Sequence, residues 1–240
     1  MGIIISVGDT GQTKYGCIYK VIRVLGNQKL LIEFQDEHKH ISEVYATNFK
    51  NGTVWNPYQV TLYGHGYVGD GHYLASRGGR DTPEYTAWRN VFKRCYHEPY
   101  QRTHPSYIDC SVCPEWHNYQ VYAQWWHENY YDVPGEKVQF DKDILVKGNR
   151  IYSPEYCLFV PQRINLIFQG KRISNPLATG VLQRGNKYVA MYNTKSLGSF
   201  VLLEDAIEAH DKAKRKAIIN VANEYKDKIP TRVYEALINY

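Results

Sequence analysis

Residues 179–200 read Thr-Gly-Val-Leu-Gln-Arg-Gly-Asn-Lys-Tyr-Val-Ala-Met-Tyr-Asn-Thr-Lys-Ser-Leu-Gly-Ser-Phe. This stretch predicts three short strands, at residues 179–183, 188–192 and 197–200. The following residues, 203–225, predict one long amphipathic helix. Its apolar positions recur at three- or four-residue spacing: Ala206, Ile207, Ala213, Ala217 and Val221. Three strands and one packing helix make a small module, and the surrounding sequence predicts an α+β protein.

The positive charge of the chain is concentrated in the same region. Residues 171–240 contain 12 Lys and Arg against 7 Asp and Glu, whereas residues 1–170 contain 17 of each. Charge confined to one segment favours a local anionic partner, and the phosphate backbone of nucleic acid is a common one. The alternative from charge alone is a basic helix that is merely well solvated.

The C-terminal segment carries an ordered series of short motifs. They are Thr179-Gly180-Val181, Lys187-Tyr188-Val189-Ala190, Leu197-Gly198-Ser199-Phe200, Glu204-Asp205-Ala206 and Ala209-His210-Asp211-Lys212-Ala213. This series resembles the AP2 module. The resemblance implies a DNA-binding domain at residues 176–240, whose sheet lies in the major groove of double-stranded DNA with the helix packed behind it.

Strand alternation suggests which side chains would meet the DNA. Tyr188, Ala190 and Tyr192 share one face, which we expect to contact the helix. The expected DNA contacts are Arg184, Lys187 and Lys195, with Gln183 and Asn193 as weaker candidates. Leu182 and Met191 depart from the resemblance, because AP2 modules often carry charged residues there. The alternative is that the lysines only solvate an exposed sheet.

The middle of the chain carries five further motifs in order. They are Trp88-Arg89-Asn90-Val91-Phe92-Lys93-Arg94-Cys95, Val112-Cys113-Pro114-Glu115-Trp116, Phe140-Asp141-Lys142-Asp143, a stretch from Gly148 to Cys157, and Asn165. This order resembles a family of phage HNH-type endonucleases. The resemblance implies a ββα-metal domain at residues 84–170 that holds Mg²⁺ or another divalent cation against a scissile phosphate.

The resemblance also assigns roles within such a site. Asp141 and Asn165 are the expected metal ligands, and Arg150 and Lys142 would contact phosphate. HNH enzymes usually place a histidine where this chain has Lys142, and a protonated lysine cannot accept a proton from water. The base would then be His117 or His127. The alternative is a solvated turn on an inactive scaffold.

Five cysteines and the lack of a secretion signal favour a reducing compartment. Four of the cysteines bracket the HNH-like segment: Cys95, Cys110, Cys113 and Cys157. The C-x-x-C spacing of Cys110 and Cys113 suits one structural Zn²⁺ ion, completed by the other two thiols. Buried free cysteines that pack as small apolar residues are the alternative.

The first 72 residues predict several short strands and suggest a small β-barrel or an SH3-like sheet. The strands are expected at residues 17–25, 29–34, 40–45 and 60–63, with Gly26-Asn27 as a hairpin turn. Residues 73–83 are expected to form a linker. Helices are expected from Pro83 onward, from Trp116 or Tyr119 to about residue 128, and at residues 161–168.

Three functions are compatible with these features. The first is a metal-dependent HNH-like endonuclease or nickase of phage type. The second is a catalytically inactive derivative that binds DNA or blocks a host defence enzyme. The third is a protein that binds a host protein or a small signalling molecule. The Ile3-Ile4-Ile5 run is too short for a signal peptide or membrane span, so we expect a cytoplasmic protein with no membrane partner.

Overall fold

The computed structural model describes residues 4–169 and 180–240. The chain divides into two compact units, Met1–Trp126 and His127–Tyr240, and each has its own apolar core. The predicted start of the AP2-like module at residue 176 and the predicted strand start at Thr179 lie outside the described residues. The division after Trp126 falls inside the predicted HNH-like segment, residues 84–170.

The first unit begins with an antiparallel sheet in the order β1-β2-β3-β4. Its elements are β1 (Thr10–Gln12), β2 (Ile18–Gly26), β3 (Lys29–Phe34), β4 (Ile41–Tyr45) and helix α1 (Ala46–Asn51). Strand β3 alternates, so that Leu30, Ile32 and Phe34 are buried. Asn27 and Gln28 connect β2 to β3 with φ values of 48° and 59°. Two consecutive residues with positive φ are typical of a type I′ hairpin turn. The turn therefore lies one residue later than the predicted Gly26-Asn27, because Gly26 still pairs with Lys29.

Two expectations for this region are wrong. Barrel closure requires the first and last strands to hydrogen-bond, but in the described sheet β1 and β4 are the two edges. The sheet is therefore open. Residues 60–63 do not form a strand, because the chain reverses there: the His65 N–H donates to the Leu62 carbonyl at 3.0 Å, and Tyr63 has a φ of 50°. Only an isolated bridge joins Leu62 to Gly66.

The rest of the first unit is mainly helical. It contains the hairpin β5 (Ser76–Arg77) and β6 (Arg80–Asp81), then α2 (Pro83–Tyr96), α3 (Glu98–Thr103), strand β7 (Ser111–Val112) and α4 (Tyr119–Asn129), which continues past the division. The hairpin lies in the expected linker. Thr82 caps α2 because its hydroxyl accepts the Tyr85 N–H, and Pro83 occupies the first turn. The helix start predicted at Pro83 is confirmed.

The described residues of the second unit form small antiparallel sheets and helices. Its elements are β8 (Val138–Asp141), β9 (Ile151–Tyr152), β10 (Leu158–Pro161), α5 (Gln162–Gln169), β11 (Val181–Arg184), β12 (Lys187–Tyr192), β13 (Lys195–Phe200), α6 (Leu203–Tyr225) and α7 (Thr231–Ile238). Strand β8 pairs with β10, and β11, β12 and β13 form a meander. The three C-terminal strands and the helix over residues 203–225 are confirmed.

Helix α6 belongs to two packing groups within this unit. Near its start, Ala206 packs with Val181 and Ala190 of the three-stranded sheet. Further along, Ile218 and other residues join a larger core with the β8–β10 strands, α5 and α7. The AP2-like sheet and the second half of the HNH-like segment therefore share one helix. The α+β class is confirmed. Over the described residues, no helix combines the length and apolar character needed to cross a bilayer.

Candidate functional site

Asp141, the first candidate metal ligand, ends β8 and caps the turn that follows. Its Oδ1 accepts the backbone N–H groups of Asp143 at 2.8 Å and Ile144 at 2.9 Å. Burial raises the pKa of the Asp141 carboxyl, although the two N–H donors work in the opposite direction. The carboxylate is thus a local turn-forming group, of the kind that Asp commonly supplies after a strand.

Lys142 is only 7% exposed. Its Nζ donates to the Asn149 carbonyl at 2.5 Å and to Asp143 Oδ1 at 2.8 Å. In return, Asn149 Nδ2 donates to the Lys142 carbonyl at 2.9 Å. Lys142 and Asn149 therefore close a loop, which we call the Asp141 loop (residues 141–151). A buried ammonium needs such partners, because burying it without them would be costly.

Asn165 and Arg150 lie at different places around this loop. Asn165 is 7% exposed on α5, and its Nδ2 donates to Gln139 Oε1 on β8 at 2.8 Å. Arg150 is exposed next to Asn149. The Asn165 amide thus ties helix to strand, whereas the Arg150 side chain lies on the surface of the loop.

These residues fit a resident divalent cation poorly. A divalent cation needs oxygen ligands with available lone pairs, but Asp141 Oδ1 already accepts two N–H groups. The buried Lys142 ammonium is its immediate neighbour in the chain. The Mg²⁺ site therefore remains a prediction from the resemblance. The hydrogen bonding of Asp141 does not favour it.

The four candidate zinc ligands are all buried cysteines. Cys95, Cys110 and Cys113 belong to the first unit and Cys157 to the second. Over residues 4–169 and 180–240, no group of three or more His, Cys, Asp or Glu side chains is arranged to hold a metal ion. The Zn²⁺ site also remains a prediction.

The two candidate bases differ in environment. His117 belongs to the first unit, and burial lowers its pKa, with a further lowering from nearby His65. A lowered pKa keeps the imidazole neutral at pH 7, which is the form that can accept a proton. His127 is exposed and belongs to the second unit.

The three-stranded sheet presents the predicted DNA-binding residues. Strand β11 pairs with β12 in a register that sets Arg184 opposite Lys187 and Leu182 opposite Val189. Directly opposed residues share a face of a sheet, and Ala190, on the other face, contacts α6. We call the face with Leu182, Arg184, Lys187 and Val189 the outer face. Arg184 and Lys187 are both exposed on it, next to each other.

Lys195 does not join this pair. It lies opposite Tyr192, which shares the face of Ala190 by alternation. The Tyr192 ring centroid is 6.0 Å from that of His210 on α6. A bulge between Ala190 and Met191 shifts the register before this point, and the simple strand pattern gave no sign of it. The structure therefore brings Arg184 and Lys187 together and sets Lys195 apart.

Gly180 and His210 hold the sheet against α6. Gly180 has a φ of +75°, and a Cβ there would lie 2.1 Å from His210 Cδ2. His210 is 6% exposed, and its Nδ1 is 3.1 Å from Asp211 Oδ1. Both residues belong to the AP2-like motifs, and here they serve packing rather than contact with a ligand.

The sequence analysis missed a cavity of about 700 Å³ in the second unit. Residues from the Asp141 loop, α6 and α7 line it, and four of them are cationic: Lys147, Lys214, Arg215 and Arg232. The sequence feature that could have indicated this cavity is the run of basic residues on α6 at positions 212–216. Lys147 and Arg232 are far from that run in sequence, so no local pattern could join them.

Comparison with known proteins gives no matching family model, curated protein or solved structure. The functional argument therefore rests on the residues themselves.

Proposed function

We propose that this chain is a double-stranded DNA-binding protein of phage type that contacts the phosphate backbone through the outer face of its C-terminal sheet. We further propose that its HNH-like segment is a structural scaffold without nuclease activity. The observation that carries the proposal is the exposed pair of Arg184 and Lys187, directly opposed at the end of the β11–β12 hairpin.

The geometry of the hairpin suits a groove-binding role. Gly185 and Asn186 form the turn beyond the pair, and both are exposed. A two-stranded ribbon fits the major groove of B-DNA, and Arg and Lys near its tip can reach phosphate or guanine edges. Because the pair is exposed, a phosphate can contact both charges while they stay partly hydrated, which limits the desolvation cost of binding.

The rest of the outer face supports backbone contact more than base reading. Leu182 lies between Gln183 and Val181 in a half-buried position, and its partner Val189 is buried. Neither side chain can donate a hydrogen bond to a base edge. We therefore expect weak sequence preference and strong dependence on salt, because phosphate contacts release counterions.

The structural role of the Asp141 loop supports the proposal that the HNH-like segment has no nuclease activity. Both groups that a nuclease would need there are engaged in local hydrogen bonds: Asp141 caps the turn, and Lys142 is buried against Asn149. A general base within reach of a metal-bound water is also required, and the HNH position for it holds Lys142.

The test is the fluorescence anisotropy of a labelled duplex, titrated with the full chain at several salt concentrations. The variant Arg184→Ala/Lys187→Ala should bind about tenfold more weakly at low salt. Its slope of log affinity against log salt should fall by about 2, one for each lost phosphate contact.

The matched control is Lys226→Ala/Lys228→Ala, which removes the same charge from exposed positions beyond the end of α6. It should bind like the unmodified chain. Equal losses in the two double variants would contradict the assignment of the outer face. Absence of salt-sensitive duplex binding would contradict the proposal as a whole and favour a protein or small-molecule partner.

A further inference from the structure

The cavity of about 700 Å³ in the second unit lies within the size range of small-molecule sites. Its walls come from the Asp141 loop, α6 and α7. Four cations line it against two carboxylates, Asp211 and Glu235. A cavity with a net excess of positive charge attracts anions, and its low-dielectric walls strengthen that attraction.

Two of the four cations build the walls. The Arg232 guanidinium donates to the carbonyls of Pro154 and Glu155, at 2.9 Å and 2.8 Å. The Arg215 guanidinium donates to the carbonyls of Ile238 and Tyr240. The Arg232 bonds fix the start of α7 to the segment at Pro154 and Glu155, and the Arg215 bonds fix the end of α7 to α6. They use some of each arginine's donors.

The other two cations, Lys147 and Lys214, line the same cavity from the Asp141 loop and from α6. Burial lowers the pKa of Lys214, and the charge of Lys147 lowers it further, while Asp211 acts in the opposite direction. Two ammonium groups that face one cavity are stabilised when an anion lies between them. A phosphate group, with up to two negative charges and three acceptor oxygens, matches this arrangement.

The remaining walls favour a ligand with more than a phosphate. Ile144, Leu145, Ile218 and Ala236 supply apolar surface, and the Tyr240 ring lies beside them. The Tyr240 ring is held edge-to-face against Phe168, with centroids 4.6 Å apart. A flat aromatic group can pack on such a wall. The carboxylates of Asp211 and Glu235 can accept hydrogen bonds from sugar hydroxyls or amino groups.

We propose that this cavity binds a nucleoside phosphate, with the phosphate between Lys147 and Lys214 and the base against the apolar wall. The site is separate from the outer face of the sheet, so this proposal goes beyond DNA binding. It is a binding site, and it involves no chemical step.

The test is isothermal titration calorimetry of the full chain with four nucleoside 5′-monophosphates: AMP, GMP, CMP and UMP. At least one should bind. Lys147→Gln and Lys214→Gln should each weaken that binding about tenfold, since each removes a charge-assisted hydrogen bond. Lys147 is exposed, so its variant should fold normally, and a thermal melt checks both variants.

The matched control is Lys216→Gln, an exposed position on the same helix that does not line the cavity. It should bind the nucleotide as the unmodified chain does. Inorganic phosphate and the free nucleoside should each bind more weakly than the nucleotide, because each fills only part of the cavity.

Three results would overturn the proposal. One is that none of the four nucleotides binds at millimolar concentration. Another is that Lys216→Gln weakens binding as much as the two cavity variants do. The third is that Arg184→Ala/Lys187→Ala weakens nucleotide binding, because the nucleotide would then occupy the DNA-binding face. Loss of DNA binding alone in that double variant leaves the cavity proposal supported.

Discussion

The outer face of the C-terminal sheet and the Asp141 loop both carry charged residues that the sequence marks as functional, but they use those charges differently. Arg184 and Lys187 are exposed and point away from α6. Lys142 is 7% exposed and bonded to the Asn149 carbonyl. Exposed charge is available to a partner, whereas the charge in the loop holds its own chain together. A charged residue in a recognisable motif can therefore be either a contact for a partner or a structural group, and its burial distinguishes the two roles.

The largest expected effect comes from an uncharged residue behind the outer face. Gly180→Ala should lower the free energy of unfolding by about 3 kcal/mol, because the new Cβ would meet His210 and the residue would also be strained at positive φ. Chemical denaturation measures the change. Gly185→Ala is the matched control: it also has positive φ but open space around it, and it should cost about 1 kcal/mol. Equal losses would show that His210 does not fix the sheet.

A second prediction concerns the buried ammonium of the loop. Lys142→Ala should lower the free energy of unfolding by about 2 kcal/mol, because it removes a buried side chain and leaves the Asn149 carbonyl without its Nζ donor. Urea denaturation compares it with Lys137→Ala, an exposed lysine just before β8, which should change stability little. If Lys142→Ala were as stable as this control but altered DNA cleavage, the loop would have a catalytic role instead.

A third, smaller effect separates a turn-forming Asp141 from a metal ligand. Asp141→Ala should cost about 1–2 kcal/mol, because the Asp143 and Ile144 N–H groups lose their shared acceptor. Asp141→Asn keeps an oxygen in the same place, so its stability should stay within about 0.5 kcal/mol of the unmodified chain. Thermal melts of both variants make the comparison, and a large loss in Asp141→Asn would mean that the negative charge itself is required.

The pH dependence of Asp141→Asn sharpens this point. Burial raises the folded-state pKa of Asp141 above its ordinary value of 3.8. Ionisation of this group therefore opposes folding, and its contribution to stability falls as the pH rises from about 3.8 through the folded-state pKa. Relative to the unmodified chain, Asp141→Asn should become more stable over that window. A difference that moves the other way would show that the folded protein stabilises the charged carboxylate.

Local patterns predicted the C-terminal part of the fold well. The apolar spacing over residues 203–225 matches α6, since a helix of 23 residues has enough turns to show a period. The β11–β12 pairing follows from alternation and an exposed turn. The Pro83 start of α2 follows from a capping threonine and a proline in the first turn.

Features that depend on distant contacts were not predictable in this way. Residues 60–63 resemble a strand, but the turn at Tyr63 breaks the pairing. The role of Lys142 depends on Asn149, seven residues away. The cavity is lined by Lys147 and Lys214, which come from different elements. Motif order alone assigns a role to Asp141 but cannot show that its oxygen already binds two N–H groups.

The most direct test of the contrast between face and loop is an assay of supercoiled plasmid with Mg²⁺ or Mn²⁺, in which retardation and nicking are scored together. We predict retardation without nicking for the unmodified chain, the same for Asp141→Asn, and loss of retardation for Arg184→Ala/Lys187→Ala. Metal-dependent nicking that disappears in Asp141→Asn would contradict the account, because the Asp141 loop would then be an active site.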